Sequence, residues 1–287
     1  MEKSKVYFTD KIEKEMLITL YEKIGVKLDG KVAVKVHSGE VGNQNFIRPE
    51  FFEDIIKKLD GTVVECNTAY EGARNTTERH KKAMEQHGWS KYFSVDILDE
   101  TGDMELPVKN GKHLTTNYVG NNMKNYDSML VLSHFKGHPM GGFGGAIKNI
   151  SIGLASSYGK AVIHGAGNPK EKWTADHDSF LESMVEASET IMDYYKGKIV
   201  FINIMKNMSV DCDCCAKAKD PQIEDIGILA STDPLALDKA CVDLVYSSKD
   251  EGKKHLIKRM ESRNGIHTLN YATERTLGNI DYELINI

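Results

Sequence analysis

Short apolar runs that alternate with stretches of helical spacing limit this chain to a sheet layered with helices. Residues 31–37 (KVAVKVH) alternate with period two and read as a strand. A glycine-containing loop, SGEVGNQNF, follows; a helix then opens at Pro49, a favoured first-turn residue, and runs through FFEDIIKKL. Gly61 stops that helix, and residues 62–66 (TVVEC) form the next strand. A strand–loop–helix–strand order of this kind is the building block of parallel sheets. Further strands are expected at residues 6–8, 95–98, 128–133 (SMLVLS), 198–204 (KIVFINI) and 225–230 (DIGILA). Helices are expected at 11–24, 77–87, 147–154, 180–195 and 234–246, the last with Asp233 as its N-cap. Asn110-Gly111 marks a hairpin turn within residues 105–120. The expected fold is α/β, a mixed, largely parallel sheet with helices on both faces. We expect one domain over residues 1–287, with room for two lobes. Ligands of such sheets gather beyond the carboxyl ends of the strands, which directs attention to the loops after His37, Ser133 and Ile204.

Bulk properties narrow the function classes. Of the 287 residues, 40% are hydrophobic and 28% charged, ordinary values for a soluble globular protein. A net charge of −5 argues against nucleic acid as the main partner. The first residues, MEKSKVYFTDKIEKEM, contain no apolar signal core, and no apolar run is long enough to span a bilayer. No membrane role and a cytoplasmic location are therefore expected. Five cysteines, an odd number without an export signal, argue against a disulfide framework. Oligomeric state is not legible.

Nine of the 24 glycines fall between Gly137 and Gly167, in the run HFKGHPMGGFGGAIKNISIGLASSYGKAVIHGAGN that follows strand 128–133. Glycine loses more backbone freedom on ordering than any other residue, so such a run marks tight turns or close approaches. Its Phe and Ile content rules out a flexible linker. Successive N–H groups at a strand-to-helix turn can cradle an anion. We therefore read Lys136, Gly141, Gly142, Gly144, Gly145 and Asn149 as binding residues for a small anionic molecule or cofactor. The run matches neither the P-loop nor the dinucleotide fingerprint. The alternative is a structural crossover.

Lys148, His134, His138 and His164 are the candidate catalytic residues. A lysine in a closely packed backbone can act as nucleophile or anion clamp, and imidazole titrates near neutrality and ligates metals. Asp211-Cys212-Asp213-Cys214-Cys215 is the second concentration of chemistry. Thiolates hold soft metals and iron–sulfur clusters, which makes Cys212, Cys214 and Cys215 candidate metal ligands, although CxCC is neither a zinc CxxC pair nor a ferredoxin run. Free loop thiols are the alternative. His80 and His87, near Arg74, Arg79 and Lys81, read as a solvated helix surface. Glu40 and Glu65, at strand ends, are weaker acid/base candidates.

The runs SHFKGHPMGGFGGAIKNISIGLASSYGKAVIHG, NMSVDCDCC and DIGILASTDPLALDKACVDLV resemble the proteins grouped as the domain of unknown function 362 family, over about residues 32–245. Many members carry an inserted ferredoxin-like segment with two 4Fe-4S cysteine runs. No CxxCxxCxxxCP run occurs here, so the iron–sulfur implication passes only to Cys212, Cys214 and Cys215. Gly142-Phe143-Gly144-Gly145-Ala146-Ile147-Lys148 is also similar in kind to the loop of the nickel-pincer lactate racemase family, whose glycine-rich loop ends in a cofactor-bearing lysine with histidines nearby. Three functions follow as expectations. The first is a metal- or iron–sulfur-associated redox protein holding an anionic ligand. The second is a small-molecule isomerase, racemase or lyase using Lys148 and the histidines. The third is a non-catalytic metal carrier or assembly protein.

Overall fold

The computed structural model describes residues 2–287. β1 (Ser4–Thr9) leads to α1 (Lys14–Ile24) and β2 (Val32–Lys35). A 3-10 turn, Pro49–Phe52, runs into α2 (Glu53–Lys58), followed by β3 (Thr62–Glu65), α3 (Thr77–Gln86), the single turn α4 (Trp89–Tyr92) and β4 (Val95–Ile97). A hairpin of β5 (Asp103–Pro107) and β6 (Thr116–Gly120) precedes β7 (Ser128–His134). A second hairpin, β8 (Lys136–His138) with β9 (Gly142–Gly144), leads to α5 (Ala146–Ser151), α6 (Ser157–His164) and α7 (His177–Tyr195). There follow β10 (Ile199–Met205), β11 (Gly227–Ser231), α8 (Pro234–Ser247), α9 (Lys253–Ser262), α10 (Ile266–Glu274) and β12 (Tyr282–Asn286).

Eight strands form one sheet in the order β12-β1-β11-β10-β7-β2-β3-β4. The run from β10 to β4 is parallel throughout. β11 is antiparallel to both its neighbours, and β12 lies parallel to β1 at the edge. The sheet is thus mixed and largely parallel. Strand alternation feeds two cores. Met129 and Val131 of β7, with Ile199 and Phe201 of β10, join α5, α7, α8, α9 and α10 on one face. Leu130, Leu132, Val200 and Ile202 point the other way, into α1 to α4. Burial on both faces explains why these strands read as unbroken apolar runs. Among the described residues no helix is long and apolar enough to cross a membrane.

From β2 the chain steps outward to β3 and β4, then returns to place β7 on the other side of β2. The order reverses there, so the loops leaving β2 and β7 diverge and open a crevice at their carboxyl ends. The first half of the glycine run is not an open loop but the β8–β9 hairpin, turning at Pro139-Met140-Gly141. The helix expected at 147–154 starts at Ala146 and ends at Ser151. Gly137 brings this hairpin against the loop after β10: its N–H donates to the Ser209 carbonyl at 2.8 Å, and a Cβ at Gly137 would collide with the Val210 backbone. Gly137→Ala is therefore expected to destabilise the protein by about 1–3 kcal/mol, as overpacking does. Chemical denaturation checks this, and an unchanged midpoint would contradict the contact.

Candidate active site

Neighbouring parallel strands deliver the site. β2 ends at Lys35 with His37 just beyond, β3 at Glu65, and β7 at His134; the loop after β10 carries Cys212 and Cys214. These surround a cavity of about 180 Å³ that Lys136, His138, Gly144, Gly145, Lys148, Asn149, Lys160 and His164 also line. Most of the cations here have anionic partners. Lys35 pairs with Glu65 at 2.7 Å, Arg74 with Glu40 at 3.3 Å, and Lys136 with Asp213 at 3.2 Å. Burial opposes ionisation of Glu65 and Asp213, but Lys35 beside the first and His134 with Lys136 beside the second hold both well below the usual carboxylate range.

Two ammonium groups lack such a partner. Lys160 Nζ donates only to carbonyls, of Ala155 at 2.6 Å and Cys66 at 3.5 Å. Lys148 lines the cavity, and its Nζ has no hydrogen bond or ion pair among the described residues. Burial lowers the pKa of both lysines. Two buried lysines without a carboxylate partner are costly to keep charged away from water.

The cradle expected of the glycine backbone is filled from within. Asp238 of α8 accepts from the N–H groups of Ala146 at 2.7 Å and Ile147 at 3.0 Å, and from Asn203 Nδ2 at 2.8 Å. A Cβ at Gly145 would strike the Asp238 carboxylate, which accounts for that glycine. Burial raises Asp238 to about 6. Gly142, read as a binding residue, instead has φ +77° and packs its backbone against Gly265. Asn149 spans from α5 to β7, donating to Ser133 Oγ at 3.0 Å and the Leu132 carbonyl at 3.3 Å. Gly141 donates its N–H to His138 Nδ1 at 2.9 Å.

The three candidate histidines differ in which nitrogen is free. His134 Nδ1 meets the Asp213 carboxylate at 2.9 Å and Nε2 meets the Lys206 carbonyl at 2.6 Å, so both nitrogens donate and neither is available to a ligand. His164 Nδ1 donates to the Lys160 carbonyl at 2.7 Å, which leaves the Nε2 lone pair free. Its ring stacks on Phe180 and meets the edge of Trp173. Burial, with Lys148 and Lys160 nearby, holds it neutral at about 4. His138 is the reverse case. Its Nδ1 accepts from Met140 N–H at 3.1 Å and Gly141 N–H at 2.9 Å, so the hydrogen sits on Nε2. Burial keeps that ring neutral, at about 3.

His138, Cys212 and Cys214 place one donor atom each within 4.8 Å of one another, the spacing a single metal ion needs. Cys215, grouped with them from sequence, lies outside that set. The spacing fits a metal, and binding one would require the His138 ring to give up the hydrogen on Nε2. His138 Nε2 carries the hydrogen and faces Cys214 Sγ at 3.9 Å. His37 repeats the pattern: Gly39 N–H donates to its Nδ1 at 3.2 Å, so its Nε2–H faces Cys212 Sγ at 3.7 Å. A metal-bound imidazole ordinarily donates from the other nitrogen, and here that nitrogen is an acceptor. Cys212 Sγ further accepts the Cys214 N–H at 3.3 Å. The Cys212 contact pulls the Cys214 thiol down, but sharing with Cys215 and burial outweigh it and leave Cys214 at about 11.

Sequence patterning missed Lys35, His37, Lys160 and Asp213. Lys35 and His37 had a signal: charged residues in a strand that is otherwise buried. His80 was read as solvated and is fully buried, facing Asn67 Oδ1 at 3.3 Å and Ser38 Oγ at 3.5 Å, with burial lowering it to about 3. His87 is half-buried just past the helix, donating from Nδ1 to the Ser38 carbonyl at 2.9 Å. Replacing Asp213 by Ala would leave His134 and Lys136 as uncompensated buried donors, and a loss of about 3–5 kcal/mol is expected in equilibrium unfolding. A loss under about 1 kcal/mol would mean that Asp213 does not anchor the loop.

The fold is α/β, with a cavity at the point where strand order reverses. The family described as domain of unknown function (DUF362) matches residues 32–243, and the chain belongs to that family. No curated protein matches the chain. Solved structures similar to it include the lactate racemase apoprotein from Thermoanaerobacterium thermosaccharolyticum, at 16% identity and a TM-score of 0.47, covering 83% of this chain and 56% of that one. Another is a protein from Thermotoga maritima, at 14% identity and a TM-score of 0.44, covering 91% of this chain and 58% of that one. The chain thus spans less than two thirds of either.

Proposed function

We propose that this chain is a small-molecule enzyme that moves a proton at a carbon beside the carboxylate of a small anion, as an isomerase, racemase or lyase does. One observation carries the reading: Lys148, whose Nζ has no partner among the described residues, and His164, whose Nε2 lone pair is free, line the same cavity. Lys148, with Lys160, binds the carboxylate and stabilises the negative charge that develops on it when the neighbouring proton leaves. His164 takes that proton. Its basicity is coupled to binding, because the two ammonium groups help to hold it low and a bound anion offsets them. His134 and Asp213 position the loops.

No step needs a metal. The redox reading draws no support from the cysteines. An iron–sulfur cluster of the four-iron type calls for four thiolates. Here Cys212 and Cys214 converge and the Cys215 thiol meets that of Cys214, while Cys66 donates to the Leu154 carbonyl at 3.3 Å and Cys241 is a buried residue of α8.

The test is deuterium exchange into a panel of 2-oxo and 2-hydroxy acids in D2O, followed by proton NMR. Exchange is expected for at least one of them, with His164→Gln slowing it about 10²–10⁴-fold and Lys148→Met raising KM. Exchange should fall in acid as His164 protonates near pH 4. It should fall again as the pH rises through the lowered pKa of Lys148, which then loses its proton and releases the anion. Exchange that survives both substitutions, or its absence across the panel, contradicts the reading.

A further inference from the structure

Among the described residues that line the cavity, Trp173 alone is exposed, at 51%. It lies in the segment between α6 and α7, and the proton transfer above gives it no task. The other tryptophan, Trp89, is fully buried in the core shared with α1 to α4. An indole is ordinarily covered, since doing so removes roughly 150–250 Å² of aromatic surface from water. Trp173 is instead held in place with much of its ring bare. Its edge meets the His164 ring, with centroids 5.3 Å apart. Lys172 Nζ lies 5.6 Å from the indole centre and donates to the Ala69 carbonyl at 2.9 Å, which ties this segment to the loop after β3. The indole therefore stands at the cavity beside the ring whose Nε2 is free.

Other lining residues continue the apolar surface. Pro139 and Met140 form the turn of the β8–β9 hairpin, and Met140 packs on the small core that includes Ile152, just past α5. Lys148 and Lys160 supply ammonium groups to the same cavity. A pocket that combines a few charged groups with an apolar remainder suits a ligand with one charged end and one apolar end.

We propose that Trp173 sets the specificity of the site by receiving the apolar or aromatic substituent of a carboxylate whose charged end rests on Lys148 and Lys160. The substrate class is then a small acid with an apolar group beyond the reacting carbon. A short substituent reaches the indole, because Trp173 touches the very ring that takes the proton. This inference rests on the anion reading of Lys148 for the charged end of the ligand, and on Trp173 for the apolar end.

The experiment uses the full chain at neutral pH with three unreactive ligands: propanoate, 3-phenylpropanoate and the neutral 3-phenylpropanamide. Calorimetry gives the affinities, and indole emission is followed in parallel. Trp89 is already shielded, so a change in emission reports Trp173. 3-Phenylpropanoate is expected to bind about tenfold or more tightly than propanoate and to shift the emission to shorter wavelength. Trp173→Ala should remove that preference and leave propanoate binding unchanged, and Trp173→Phe should keep most of it. Lys148→Met should weaken both acids and not the amide. Equal affinity for the two acids, a preference that survives Trp173→Ala, tight binding without a change in emission, or no binding of any of the three would each overturn the proposal. An amide that binds as tightly as its acid and is lost in Trp173→Ala would leave the aromatic subsite standing and sink the anion reading instead.

Discussion

The carboxylate of Asp213, buried between His134 and Lys136, is the contact from which the rest of the site takes its shape. Asp213 lies between Cys212 and Cys214, so anchoring it to the end of β7 turns the flanking thiols toward the cavity. The backbone adds a second clamp, since the Asp213 carbonyl accepts the Glu40 N–H at 2.7 Å and so ties the loop after β10 to the loop after β2. Three loops from three strands are thereby locked at the point where strand order reverses. Within that frame Lys35, Arg74 and Lys136 have carboxylate partners, and Lys148 and Lys160 do not.

Glycine density has a different cause from the one its pattern suggests. Gly137 meets the Val210 backbone, Gly142 meets Gly265, and Gly145 meets Asp238. Each removes a side chain so that another segment can come close. The N–H groups at the start of α5, which a strand-to-helix turn would offer to a ligand, are taken by Asp238. The polar groups that line the cavity here are therefore the Lys148 and Lys160 side chains and not the amides that open α5.

Much of the fold was legible because its strands are buried on both faces. Residues 62–66, 128–133 and 198–204 could hardly be anything but central strands, and β3, β7 and β10 fall there. The β5–β6 hairpin was marked by Asn110, which adopts φ +51°. The C-terminal stretch was silent. α9 (KKHLIKRMES) is charged over most of its surface, and β12 is an edge strand with a mixed pattern. α6 was hidden by the surrounding glycines, although Ser156 caps it by accepting the Gly159 N–H at 2.9 Å. For the site, residue types and their crowding were readable, but roles were not. Whether a histidine is a base, a donor or a strut depends on which nitrogen meets which backbone group, and three histidines from one short run take three different states here.

The proposed function requires that an anion sit on Lys148 beside His164. A crystal structure with pyruvate soaked into the protein checks this. The carboxylate is expected within hydrogen-bonding distance of Lys148 Nζ, with the rest of the molecule facing His164 Nε2. Pyruvate bound elsewhere, or Lys148 Nζ paired to one of the chain's own carboxylates, would contradict it.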